Sequence, residues 1–198
     1  MGQEGARAAA TGAQVRMRKL VAGLFVSLDG VVEIAEQAIL PYFNDEVVEL
    51  IQSDQDAADT ILLGRRTYQE FAAYWPEKSG GDDPFANYIN RTPKVVVSRT
   101  LKTVDWQNTT LIGDYFVDGL ARLRRRPGKE ISVAGSATLV RSLLRHGLID
   151  ELRLLMFPIV LGSGKRLFDP WTGELPMTLV GARSLTNGVL SLLYAPAK

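Results

Sequence analysis

The stretch Ile131–Phe168, ISVAGSATLVRSLLRHGLIDELRLLMFPIVLGSGKRLF, decides the fold, because strand, turn, helix and second strand follow one another with almost no slack. Ile131 to Ala134 is a short apolar run with β-branched residues, and it stops at Gly135-Ser136, where side chain gives way to accessible backbone. In the helix that follows, Leu139, Val140, Leu143 and Leu144 gather on one face, and Gly147 supplies a left-handed stop. Leu152 to Phe157 reads as a second buried strand. Such a unit makes parallel strands through a right-handed crossover and sets the helix N-terminus at the carboxyl edge of the sheet. The free N–H groups and positive dipole end there suit an anion, and Gly135 lets a phosphate come close to the backbone.

Working outward, Lys19 to Val26 is the first strand, apolar throughout, and is expected to be central and buried on both faces. Ser27-Leu28-Asp29-Gly30 has turn chemistry. Pro41 breaks any helix in 31–43, after which Asn44 caps a helix with Asp45 and Glu46 in its first turn and a buried stripe of Val47, Val48, Leu50 and Ile51. Thr60 to Leu63 is a strand ending at Gly64, and Arg65-Arg66-Thr67-Tyr68 opens a helix with Tyr68, Phe71, Ala72 and Trp75 on one face. Thr67 and Glu70 have capping-box spacing. This second strand-to-helix junction repeats the first and adds two guanidiniums, a suitable place for phosphate.

Beyond Trp75-Pro76 lies a polar loop, 77–84, of the kind that covers substrate sites, with Tyr74 and Trp75 able to roof a flat ring. Pro84 to Asn90 is a short helix, Lys94 to Val97 a strand ending at Ser98-Arg99, Thr109 to Ile112 a weak strand, and Tyr115 to Arg126 a helix stopped by Pro127-Gly128. The basic run at 122–126 complements the dipole of its own helix and lacks interleaved aromatics, so nucleic acid is not expected as a partner. Met177 to Leu185 and Val189 to Tyr194 flank Asn187-Gly188, a type I′ hairpin signal.

Composition narrows the classes. The chain has 198 residues, 46% hydrophobic and 23% charged, which suits one globular domain with ample core. A net charge of +1 gives no attraction for nucleic acid or an anionic membrane. The absence of cysteine removes thiolate metal sites and nucleophiles, and the single histidine, His146, reads as a helix C-terminal residue, so no metal is expected. No run is long enough to span a membrane, and the cytoplasm is the default location. Residues 1–17, Ala- and Gly-rich, read as a disordered tail before a single domain, 18–198.

The run VAGSATLVRSLL with GLIDELRLLMFPIVLGSGKRLF resembles the dihydrofolate reductase-like domain, and within it the C-terminal reductase domain of bacterial riboflavin-biosynthesis proteins. The resemblance extends over about residues 18–198 through SLDG, LLGRRTY and Ser98-Arg99. It implies a three-layer α/β/α fold around a mixed, mostly parallel sheet with a C-terminal antiparallel hairpin. It further implies an NADPH-dependent reductase that passes a hydride to a small pyrimidine- or pterin-like heterocycle or carbonyl compound. Cofactor contacts would fall on Phe25, Gly64, Arg65, Arg66, Thr67, Ser98, Arg99, Gly135, Ser136, Ala137, Thr138 and Leu139. A carboxylate from the first helix, Asp45 among Asp45, Glu46 and Glu49, would assist protonation, and Asp29 would line the same catalytic site. A homodimer is implied by resemblance alone. Two departures argue against a bifunctional riboflavin enzyme and against folate reduction: no deaminase-like stretch comes first, and the first-helix region lacks the Trp and unambiguous Asp of true dihydrofolate reductases. A non-catalytic NADP(H)-binding regulatory or scaffold protein is the alternative.

Overall fold

The computed structural model describes residues 17–78, 80–81 and 83–197; the tail expected at 1–17 therefore lies, but for Met17, outside the described residues, as do two positions of the 77–84 loop. Strands β1 (Leu20–Ser27), β2 (Ala58–Gly64), β3 (Lys94–Val97), β4 (Thr109–Ile112), β5 (Glu130–Gly135), β6 (Glu151–Phe157), β7 (Met177–Ser184) and β8 (Leu190–Pro196) form one eight-stranded sheet. Its order is β4-β3-β2-β5-β1-β6-β8-β7, parallel through β6 and antiparallel in the last two strands. The unit that opened the reading spans the centre: β5 and β6 lie on either side of β1, and the helix between them, α6 (Ala137–Arg145), crosses over it.

The remaining helices are α1 (Glu36–Ile39), α2 (Asp45–Ala57), α3 (Arg65–Tyr74), α4 (Pro84–Arg91) and α5 (Phe116–Arg124). Leu139, Val140, Leu143 and Leu144 of α6 join Leu120 and Leu123 of α5 over Leu20, Ala22, Leu62, Ile131 and Val133, which makes the larger core on one face. The other face is divided: Tyr68 and Ile89 from α3 and α4 pack on Ile61, Leu63 and Val96, while Val47 from α2 packs with Phe157 and Ile39. Between these two clusters the sheet is only partly covered. Gly23, Phe25, Ser132 and Ala134 on β1 and β5 keep intermediate exposure there, and a Cβ added at Gly23 would meet nothing within 4 Å. β1 is central, as expected, and buried on both faces at its ends, with only its middle, Gly23 to Phe25, partly open.

Local expectations fare differently. Asn44 caps α2 as read, its side chain accepting from Val47 N–H, and Gly147 takes φ +61° to end α6 with His146 as C-cap. The capping box at Thr67 is not formed: Gly64 is the N-cap of α3, and Thr67 is buried in its first turn. The hairpin is not type I′ either. Gly188 N–H donates to Leu185 O at 3.0 Å and only Gly188 of the Asn187-Gly188 pair has positive φ, +85°, so a wider turn with a left-handed glycine joins the strands. Val48, expected in the buried stripe, is 39% exposed and faces the gap between α2 and α3.

Candidate active site

Two strand-to-helix junctions, 71 residues apart in sequence, stand side by side at the carboxyl edge (Gly64 and Gly135). Leu63 is in register with Gly135 across the parallel β2–β5 pair. The approach is tight: a Cβ on Gly64 would lie 3.2 Å from Ser136 N and 3.1 Å from its Oγ, and one on Gly135 would lie 3.3 Å from Thr67 Oγ1. Gly135 also needs its φ of +125°, which a side chain disfavours. Neither Gly64 nor Ser136, the two N-caps, makes a side-chain cap hydrogen bond, so side chains leave both helix ends to an incoming anion.

Around this pair the other expected contacts divide. Arg65 and Arg66 are exposed; Arg66 pairs with Glu70 at 2.9 Å and Glu33 at 3.6 Å, which raises its pKa further. Thr138 is exposed, whereas Ala137 and Leu139 are buried and can offer only backbone to a ligand. Ser98 is turned inward: its Oγ accepts from Thr100 and Leu101 N–H at 3.2 and 3.0 Å, leaving Arg99 as the solvent-facing residue at the end of β3.

The gap between α2 and α3 is a cavity of about 640 Å³, and Phe25 on β1, the strand paired with β5, is on its wall. Phe25, Phe43, Leu40, Val48 and Ile51 line one side, and Tyr74, Trp75 and Phe85 the other. Trp75 stands edge-on to both Tyr74 and Phe85, with centroids 4.9 Å apart in each pair, while Phe25 packs edge-on against Phe43 at 6.0 Å. The polar residues of the wall are Glu36, Gln52, Gln55, Lys78 and Asp83. Tyr74 and Trp75 therefore do border a ring-sized space, as their position in the sequence suggested.

The two carboxylates expected at the catalytic site lie off the cavity wall. Asp45 is exposed at the start of α2 and is not on the cavity wall; neither are Glu46 and Glu49. Glu46 is occupied by the Thr186 hydroxyl, by Thr186 N–H at 2.8 Å and by Arg183 at 2.9 Å, and these bonds, the Thr186 hydroxyl first, lower its carboxyl to about 2. Asp29 ties loops together: Oδ1 accepts from Ser27 Oγ at 2.7 Å and Leu161 N–H at 3.1 Å, and Oδ2 from Gly162 N–H at 3.0 Å. Those donors, the Ser27 hydroxyl first, lower its pKa to about 2, so it has no proton to give at neutral pH. Among the described residues the carboxylates on the wall are Glu36 and Asp83, which no sequence pattern singled out because Glu36 sits in the aperiodic 31–43 segment and Asp83 in a polar loop. Asp83 is spoken for as the cap of α4, accepting from Phe85 and Ala86 N–H. The Glu36 carboxylate has no hydrogen bond or ion pair with any described residue, while its backbone carbonyl accepts from Leu40 N–H.

A mostly parallel sheet with helices on both faces, two adjoining helix ends at its carboxyl edge and a cavity alongside define the class: a dihydrofolate reductase-like α/β domain. The chain belongs to the RibD C-terminal domain family, which matches residues 18–191. It is 30% identical to the uncharacterized protein YyaP of Bacillus subtilis (strain 168) over 189 residues, 91% of this chain and 96% of that protein. A putative riboflavin biosynthesis protein from Shewanella sp. PV-4 shares the fold with a TM-score of 0.69 at 21% identity, over 91% of this chain and 99% of that one. Dihydrofolate reductase from Enterococcus faecalis, solved in complex with NADP(H), superposes with a TM-score of 0.61 at 13% identity, over 91% and 97% of the two chains.

Proposed function

We propose that the protein is an NADPH-dependent reductase that delivers a hydride to an electron-poor C=N or C=O carbon of a small heterocyclic, pyrimidine- or pterin-like, or carbonyl substrate. The observation that carries this reading is the adjacency of two helix N-termini without side-chain caps at one sheet edge, next to an aromatic-walled cavity. The residues fit the cofactor: backbone at Gly64 to Thr67 and Gly135 to Leu139 would take its phosphates, and the Arg65, Arg66 and Arg99 guanidiniums suit a 2′-phosphate. When bound, NADPH supplies the hydride. The chain's part is to align and to exclude water: Phe25 forms the inner wall where the ring would rest, and Phe43, Tyr74, Trp75 and Phe85 keep that space apolar.

Thermal unfolding with NADPH and with NADH tests the reading. A ligand specific to the native state at a hundred times its Kd stabilises it by about 2.7 kcal/mol. NADPH should raise Tm more than NADH does, and Arg65→Ala or Arg66→Ala should erase that preference. No rise with either nucleotide would remove the cofactor from the reading. Tight binding without consumption across pterin, pyrimidine and carbonyl substrates would replace the reductase by a nucleotide-binding regulatory or scaffold protein.

A further inference from the structure

We propose that the cavity between α2 and α3 takes a flat ring without a phosphate, and that Glu36 turns away phosphorylated analogues of the same ring. This rests on the reductase reading for the cavity's use, and it concerns what that cavity accepts.

The walls supply the first half of the argument. Two aromatic groups, one of Phe25 and Phe43 and one of Tyr74, Trp75 and Phe85, border the space from its two sides, and Leu40, Val48 and Ile51 fill in between them. Such walls stabilise a planar apolar body and offer nothing to a highly hydrated dianion. The amides of Gln52 and Gln55, one helical turn apart on α2, give a ring's N–H and C=O groups partners that carry no charge.

Among the described lining residues, the groups that could hold a phosphate are one exposed cation and one helix end that is already used. Lys78 is the one cation among the described lining residues, and its Nζ lies 5.3 Å from the centroid of the Tyr74 ring, over its face. The helix end that opens onto the cavity, that of α4, already has the Asp83 carboxylate on its Phe85 and Ala86 amides, at 2.9 and 3.2 Å. No arginine is among the described lining residues. Glu36 remains, a carboxylate with no countercharge among its described neighbours, and a phosphate entering beside it would be repelled.

The test compares 5-amino-6-ribitylaminouracil with its 5′-phosphate, and adds 6-methylpterin as a neutral ring without a sugar. Binding to the full chain is followed by calorimetry, and NADPH is titrated separately. The uracil without phosphate and the pterin should bind, with the phosphate ester roughly tenfold or more weaker. In Glu36→Gln the two uracils should come within about threefold of one another. A phosphate ester that binds as well as its parent, or a ratio unchanged by Glu36→Gln, overturns the proposal, as does failure of all three to bind. Failure of NADPH alone to bind leaves these ratios standing and overturns the reductase reading instead.

Discussion

Both oxygens of Asp29 are occupied by hydroxyl and amide donors from its own loop and from residues 161–162, and Arg166 adds its guanidinium at 3.4 Å. The side chain therefore joins the loop after β1 to the one after β6. In a sequence, Asp29-Gly30 has the signature of a turn and of a catalytic aspartate alike; only the positions of Leu161 and Gly162, more than 130 residues away, separate the two. Its carboxyl is lowered from 3.8 to about 2 on folding. A carboxylate depressed in this way contributes stability that is present above about pH 4 and is lost as the pH falls toward 2. Glu46, lowered to about 2 by Thr186 and Arg183, acts in the same window. Urea midpoints between pH 5 and pH 2.5 should fall steeply in the native chain and less steeply in Asp29→Asn or Glu46→Gln. Equal slopes in all three would show that neither bond network matters in the folded state.

At the scale of elements, β5, α6 and β6 were legible because strand pattern, helix face and left-handed stop all agree locally. The same holds for the N-cap of α2. Asn187-Gly188 misled because the pair serves a type I′ turn and a wider turn with a left-handed glycine equally well, and the choice falls to contacts at the hairpin tip, where Thr186 meets Glu46 and Asn187 meets Tyr42. Gly64 was legible as a junction but not as a contact. A side chain there would press on Ser136 N, which is backbone and cannot swing aside as its Oγ can. Gly64→Ala should destabilise by roughly 1–2 kcal/mol through this overpacking, seen as a lower urea midpoint with an unchanged m-value. It should also weaken NADPH binding, because the two helix ends must part to make room. Gly23→Ala, whose Cβ enters open space, should cost the fold far less and crowd only the cavity floor.

Over the whole molecule the two edges of the sheet are built differently. Where the parallel strands begin, charges are paired: Arg18 with Asp59, Lys19 with Glu151, Arg124 with Asp150 at 2.7 Å, and Arg153 with Asp54, Glu130 and Glu151 at 2.7–3.0 Å. Arg124, in the basic run that complements its helix dipole, is 9% exposed and also donates to Arg18 O and Leu148 O, so Arg124→Ala, which strands the Asp150 carboxylate, should cost roughly 3 kcal/mol in chemical unfolding. Where those strands end, the helix N-termini of α3 and α6 meet solvent without side-chain caps. One edge stabilises the sheet and the other is left to bind. That division was legible in part: Arg65-Arg66 opens a helix and 122–126 closes one, which sets them at opposite edges, but the ion pairs across the starting edge depend on contacts between residues far apart in sequence. If one nucleotide lies across both junctions, NADPH should slow amide exchange in 65–68 and 136–140 together and leave the paired starts of β2 and β5 unchanged. Mass-spectrometric exchange would resolve these segments, and protection of one junction without the other would mean that the second glycine turn is packing alone.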